Sequence, residues 1–275
     1  MRNNQRRTGE GPESAPPPGG PNPAMAFSAP TEFVELPSCG EFYSEDHPLY
    51  KQETVEIRFM TAKDEDILTS EALLKKGLAI DRLLENLLIP DVDPGTLLMG
   101  DRNALIIAAR ISAYGREYKV SVRCKECFTI EEIDFDLKTA SLRDACFDKE
   151  YLREEGVTFN KETQTFDLEL PTSGVEVGLK LLDGRGERKM SEKDNDKNRV
   201  TSLLSTFLIK VNGNTDFGTV MDFIDVMPAR DSKHLRNIFP KLTPAIELSM
   251  LHRCENCLHS EETEVPLSAG FFWPE

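Results

Sequence analysis

The chain has 275 residues, 39% of them hydrophobic, with 33 lysines and arginines against 48 aspartates and glutamates. That length supports one large core or two modest ones and excludes a short peptide stapled by disulfides. The net charge of −15 repels phosphate backbones and anionic lipid, which disfavours non-specific nucleic-acid or membrane-surface binding as a function.

Residues 1–32 hold seven of the 17 prolines and almost nothing to bury, which predicts a disordered Pro-rich tail carrying Arg2, Arg6 and Arg7. From Phe33 the pattern becomes that of a folded domain. Val55 to Met60 alternates apolar and polar residues as a half-buried strand does. Thr61 with Asp64 three residues on resembles a capping-box helix start. Leu73, Leu74, Leu78, Ile80, Leu83, Leu84, Leu87 and Leu88 then form apolar stripes at helical spacing, interrupted near Gly77, which predicts two short helices. Asp101 is placed to cap a further helix that buries Leu105, Ile106, Ala109 and Ser112 and stops at Gly115. Tyr118 to Val122 reads as a strand leading into Cys124, and Phe128 to Leu137 as its return.

Landmarks recur along the chain. Leu36-Pro37-Ser38-Cys39-Gly40 and Leu170-Pro171-Thr172-Ser173-Gly174 share a Leu-Pro-hydroxyl-x-Gly pattern, each ending a predicted strand. The strand Val55–Met60 lines up with Val177–Leu182. From Asp101 and Asp231 the register holds without a gap: Leu105 matches Leu235, Arg123 matches Arg253, Cys124 and Cys127 match Cys254 and Cys257, and Glu131-Glu132 match Glu261-Glu262. The fold class expected is α+β, built as two related halves at 33–138 and 165–275. A charged linker at 139–164 joins them.

No apolar run approaches the roughly 20 residues that span a bilayer, and the N-terminal stretch lacks the apolar core of a secretory signal. A reducing cytoplasm is the compartment these features point to, so the six cysteines read as thiols or ligands. Cys124-Lys125-Glu126-Cys127 and Cys254-Glu255-Asn256-Cys257 are two Cys-x-x-Cys knuckles. A tight turn of this spacing points both thiolates at one ion, and two such turns supply the four ligands of a structural zinc site with no open position. If the halves pack about a pseudo-two-fold axis, zinc clasps them together. The competing readings are a dithiol redox pair, which usually sits at a helix start, and unmetallated thiols. Cys39 and Cys146 have no nearby partner in the sequence.

His252 and His259 flank the second knuckle, but Val122 and Thr129 stand at the matching positions of the first, so the histidines are not expected to be ligands. Asp183 to Arg188 is glycine-rich yet lacks the lysine and hydroxyl of a phosphate-binding loop and reads as a strand-to-helix turn. Nothing in the chain makes a persuasive catalytic set. At the C-terminus, Phe271, Phe272 and Trp273 are costly to leave in water. They either fold back onto the core or dock a partner.

Three strings carry a family resemblance: Val34-Glu35-Leu36-Pro37-Ser38 with Gly40 and Tyr43, Phe59-Met60-Thr61-Ala62-Lys63-Asp64-Glu65-Asp66-Ile67-Leu68 with Leu73 to Gly77, and Gly100 to Ala104 with Arg110 and Tyr114-Gly115. With Asp231 to Arg236, the second knuckle and the Phe-Phe-Trp-Pro ending, the chain resembles the baseplate hub and hub-assembly proteins of T-even-type contractile-tailed bacteriophages. The proline-rich tail and Cys39 depart from that pattern. The resemblance implies a non-enzymatic phage protein that helps build the tail hub through contacts with other baseplate or tail hub proteins, either as an assembly chaperone in the host cytoplasm or as part of the virion. Two other classes compete. A zinc-ribbon module binding nucleic acid would need a basic stripe near the knuckles, where only Lys119, Arg123 and Lys125 stand together. A dithiol oxidoreductase is the second.

Overall fold

In a computed structural model, the residues described are 29–139, 141–143, 152, 154–193, 199–265 and 269–272. The Pro-rich tail up to residue 28 lies outside them. The chain is α+β. Strand β1 (Thr31–Glu35) pairs antiparallel with β2 (Thr54–Arg58). Three short helices follow: α1 (Ala62–Leu68), α2 (Glu71–Lys75) and α3 (Ala79–Leu87). The expected capping box is present at α1, where the Asp64 carboxylate accepts from the Thr61 amide at 2.9 Å and its hydroxyl at 2.8 Å. Gly77, at φ +65°, breaks the apolar stripe between α2 and α3. Ala79, Leu83, Leu84 and Leu87 form the buried stripe of α3.

Helix α4 (Met99–Tyr114) is the central element and ends at Gly115, at φ +86°. It buries Leu105, Ile107, Ala109 and Arg110, while Ile106 and Ser112 are only half-buried. Asp101 does not cap its own helix as expected. It lies fully buried in the first turn and reaches across to the turn after β1, accepting from the Ser38 amide at 2.9 Å, the Ser38 hydroxyl at 2.5 Å and the Tyr43 hydroxyl at 2.7 Å. The physical reason is that a first-turn carboxylate faces outward from the helix end, where three donors already converge.

Next come the hairpin β3 (Glu117–Arg123) and β4 (Ile130–Asp136), then β5 (Ser141–Arg143). Burial along β3 alternates strictly, with Tyr118, Val120 and Val122 inward. A four-stranded antiparallel sheet follows, ordered β6 (Thr158–Asn160), β7 (Thr165–Glu169), β8 (Glu176–Leu179) and β9 (Leu208–Val211), with α5 (Gly184–Lys193) and α6 (Arg199–Phe207) inserted between β8 and β9. Helices α7 (Phe217–Val226) and α8 (Ala229–Leu242) lead to β10 (Ala245–Glu247) and the second hairpin, β11 (Ser249–Arg253) with β12 (Ser260–Glu264). Within the stretch read as a charged linker, β5 pairs with β10 and β6 edges the four-stranded sheet.

The turn after β7 repeats the arrangement seen after β1. Asp231, buried in the first turn of α8, accepts from the Thr172 amide at 2.9 Å and the Ser173 amide at 3.0 Å. Gly40 and Gly174 hold matching left-handed conformations, φ +68° and +66°.

One hydrophobic cluster runs through both parts, taking in Ile57, Leu84 and Leu105 on one side and Val177, Phe207 and Leu235 on the other. Phe42 packs its ring 5.0 Å from Phe159 and 5.3 Å from Phe166. At the seam, the Met99 amide donates to Leu182 O and the Gly184 amide to Leu97 O, both at 3.0 Å. Asp81 receives both Arg102 and Arg188 there. A Cβ on Gly100 would fall on the Pro244 carbonyl oxygen, so only glycine lets α4 approach the segment leading to β10. Among the described residues no helix is long and apolar enough to cross a membrane.

Candidate metal centre

The two Cys-x-x-Cys turns sit at the tips of the β3–β4 and β11–β12 hairpins, between strands rather than at a helix start. Their local geometry is the same. The Cys124 amide donates to Thr129 O at 3.0 Å and the Phe128 amide to Cys124 O at 3.0 Å. In the second turn, the Cys254 amide donates to His259 O and the Leu258 amide to Cys254 O, both at 2.9 Å.

The hairpins meet tip to tip and bring all four Sγ atoms within 4.8 Å of one another. Across the junction, Cys124 Sγ lies 3.6 Å from Cys257 Sγ and Cys127 Sγ 3.5 Å from Cys254 Sγ. Four sulfurs around a tetrahedral zinc at about 2.3 Å stand roughly 3.8 Å apart, so this spacing suits such an ion. Among the described residues the cysteines form no disulfide. Cys124 and Cys254 are buried, Cys127 is half-buried and Cys257 is exposed.

The thiols differ in their surroundings. At Cys257 the His259 backbone favours the thiolate, but burial and the neighbouring Cys127 and Cys124 thiols outweigh it and push it up. The Thr129 hydroxyl and amide, with Asn256, bring the Cys127 thiol down to about 5. At Cys254 the Cys257 amide favours the thiolate, but burial and the neighbouring Cys127 and Glu131 win and push it up to about 12. Four thiolates at this separation repel one another unless a divalent ion compensates them.

Two carboxylates lock the junction, and each comes from the hairpin opposite the turn it holds. Glu131 on β4 accepts from the Glu255 amide at 3.0 Å, and Glu261 on β12 accepts from the Lys125 amide at 3.0 Å. Glu261 also pairs with the Lys125 ammonium at 2.7 Å. His252 is buried with Nε2 3.1 Å from Glu131 Oε2, close but out of hydrogen-bond alignment, and it supplies no ligand. The register of the repeat already matched Glu131 with Glu261. What it lacked was a reason to read a repeated acidic pair as more than a solvated face.

Phe271 and Phe272 are buried on the chain itself. Phe271 packs edge-on to Tyr118 at 5.1 Å, and its carbonyl accepts from Arg110 Nε at 2.7 Å. Arg110 is 2% exposed and also donates to Gly115 O and Glu117 O. Trp273 and Cys146 lie outside the described residues. Cys39 lies in the turn after β1, far in sequence from the knuckles.

A family model described as T4 bacteriophage base plate protein matches residues 31–273. Searches of curated proteins and of solved structures give no match.

Proposed function

The chain belongs to the T4 bacteriophage base plate protein family, and on that premise we propose that it works without catalysis, as a zinc-clasped scaffold that helps assemble or form the hub of the phage base plate. The observation that carries the base plate role is the family match over residues 31–273. The four converging sulfurs support zinc, held by Cys124, Cys127, Cys254 and Cys257. When bound, the ion supplies structural cross-linking, and with four thiolates around it no coordination position is left for substrate.

Two related halves, 33–138 and 165–275, remain our reading of the architecture. The same Leu-Pro turn bonded to the same first-turn aspartate in both parts, and the reciprocal bonds between the knuckles, support a common origin. In this reading the partners are other hub proteins, met in the host cytoplasm during assembly. Burial of Phe271 and Phe272 favours an internal role for those two rings over docking. Nucleic acid is a poor fit, because Lys119 faces Asp134 across the hairpin and Lys125 is neutralised by Glu261. A dithiol redox role is weakened by the placement of each pair between strands.

Metal analysis of the purified protein, with and without the Cys254→Ala/Cys257→Ala change, tests the clasp. One equivalent of zinc, lost in the variant, is expected; zinc-free protein that folds normally would overturn it. Deleting the gene from the phage and counting assembled base plates tests the role.

A further inference from the structure

We propose that the exposed residues bracketing each knuckle dock another base plate protein, one that offers a carboxylate beside an apolar hollow; this rests on the base plate reading above. Each knuckle is bracketed in the same way, as Arg123-Cys-x-x-Cys-Phe128 and Arg253-Cys-x-x-Cys-Leu258. The residue after the second cysteine has φ +60° in one turn and +61° in the other, a left-handed conformation where glycine is the cheap choice and a bulky side chain is strained. The turn imposes this conformation, since the amide of that residue closes it onto Cys124 O or Cys254 O.

Both side chains are also exposed. Phe128 and Leu258 are each 62% accessible, and Ile130 and Leu251 on the same hairpins are 65% and 76%. Neither Phe128 nor Leu258 is a metal ligand. Apolar exposure thus falls on the same residue of both knuckles, in a turn whose hydrogen bond already holds the left-handed conformation, and among the described residues both side chains stay open to solvent. A partner that covers the side chain would offset that exposure.

The charge beside them defines that partner. Arg123 lies over the Phe128 ring at 5.2 Å, and among the described residues neither Arg123 nor Arg253 makes an ion pair. Lys125, between the cysteines, is by contrast already held by Glu261. In a chain of net charge −15, a guanidinium without an ion pair among the described residues, set over the exposed Phe128 ring and matched in sequence by Arg253 and Leu258, selects a carboxylate flanked by apolar surface. The same net charge argues against a second copy of this chain.

The test compares Phe128→Gly/Leu258→Gly and Arg123→Glu/Arg253→Glu with the wild type in the phage. Phe128→Asn/Leu258→Asn serves as a second apolar variant because asparagine tolerates the left-handed turn. The purified glycine and asparagine variants should keep their metal content and melt no lower than wild type, yet base plate yield should fall at least tenfold. Suppressors of the arginine variant should arise in another tail protein and exchange a carboxylate for lysine or arginine. Wild-type assembly by these variants would overturn the proposal, as would a loss of yield that tracks lost metal or stability. Suppressors confined to acidic residues of this chain would also overturn it and make the occupant a second copy. If deleting the whole gene leaves base plates intact, it is the base plate reading that fails; if deletion blocks them and the variants do not, only the docking surface fails.

Discussion

Glu131 and Glu261 occupy the same position on β4 and β12, and each accepts an amide hydrogen from the opposite knuckle at 3.0 Å. The exchange is reciprocal, so neither hairpin tip is held by its own strands alone. A carboxylate that fixes the turn carrying a ligand pair acts on the metal without touching it, and loss of such a group typically weakens metal binding 10- to 100-fold. Glu261→Gln removes the Lys125 ion pair but keeps an acceptor, and should weaken zinc by about tenfold. Glu131→Ala/Glu261→Ala should weaken it further. Competition with a chromophoric chelator measures both.

If zinc closes the junction, its removal should be felt far from the cysteines. Knuckle and core are continuous, because Tyr118 and Val120 on β3 belong to the same hydrophobic cluster as Leu105 and Leu235. Chelation, or Cys254→Ala/Cys257→Ala, should lower the melting temperature by several degrees, corresponding to at least about 2 kcal/mol. Cys39→Ala should leave the zinc content unchanged, and a scan with and without chelator separates the two.

The close approach at Gly100 predicts a large effect from a small change. A methyl there meets the Pro244 backbone, which cannot rotate out of the way as a side chain can. Gly100→Ala should cost about 2–3 kcal/mol despite alanine's better helix propensity. Gly77→Ala has open space around it but a strained φ of +65°, and should cost only about 1 kcal/mol. Denaturant melts of both variants test the order.

Asp64 gives the fold a defined acid limb. Burial works to raise its pKa, but the Arg58 guanidinium with the Thr61 amide and hydroxyl outweighs that and holds the carboxyl at about 2. A folded-state value below the unfolded one means that the contribution is complete above about pH 4 and fades as pH falls toward 2. Asp64→Asn should therefore flatten the stability profile across that interval and cost about 1–2 kcal/mol at neutral pH.

Local signals were legible, as was the meeting of the two distant knuckles, but most other long-range contacts were not. The alternation of β3, the capping box at Thr61 and Asp64, the break at Gly77 and each Cys-x-x-Cys turn depend on residues near one another in sequence. Asp101 was recognised as a helix-start residue, but its partner Ser38 lies 63 positions away. Only the tertiary fold brings them together. For the same reason Arg110 gave no hint that it holds Phe271 across 161 positions. Strands β5 and β6 fell inside an apparent linker because each has only three residues, too few to establish a period, and each is completed by a partner strand.

The paired aspartates Asp101 and Asp231 should respond differently to the same substitution, although both are fully buried. Two of the three donors at Asp101 are hydroxyls, from Ser38 and Tyr43, and a hydroxyl accepts as readily as it donates. An asparagine at 101 keeps the Ser38 amide on its oxygen and turns its amino group toward the remaining lone pair of a hydroxyl, since Ser38 and Tyr43 already accept from the Gly40 and Leu98 amides. Burial already raises the Asp101 pKa, so a neutral group there sacrifices little. At Asp231 each carboxylate oxygen accepts a backbone amide, one from Thr172 and the other from Ser173, and an amide cannot reverse its role. Burial opposes the charge there too, but the side chains of Ser173 and Thr172, together with their amides, outweigh it and hold the carboxyl below its usual range. One oxygen of Asp231→Asn must become an amino group facing an N–H donor. Asp231→Asn should therefore cost about 1–3 kcal/mol and Asp101→Asn less than about 1 kcal/mol. Equal losses in parallel urea titrations would show that hydroxyl reversal does not operate at the first turn.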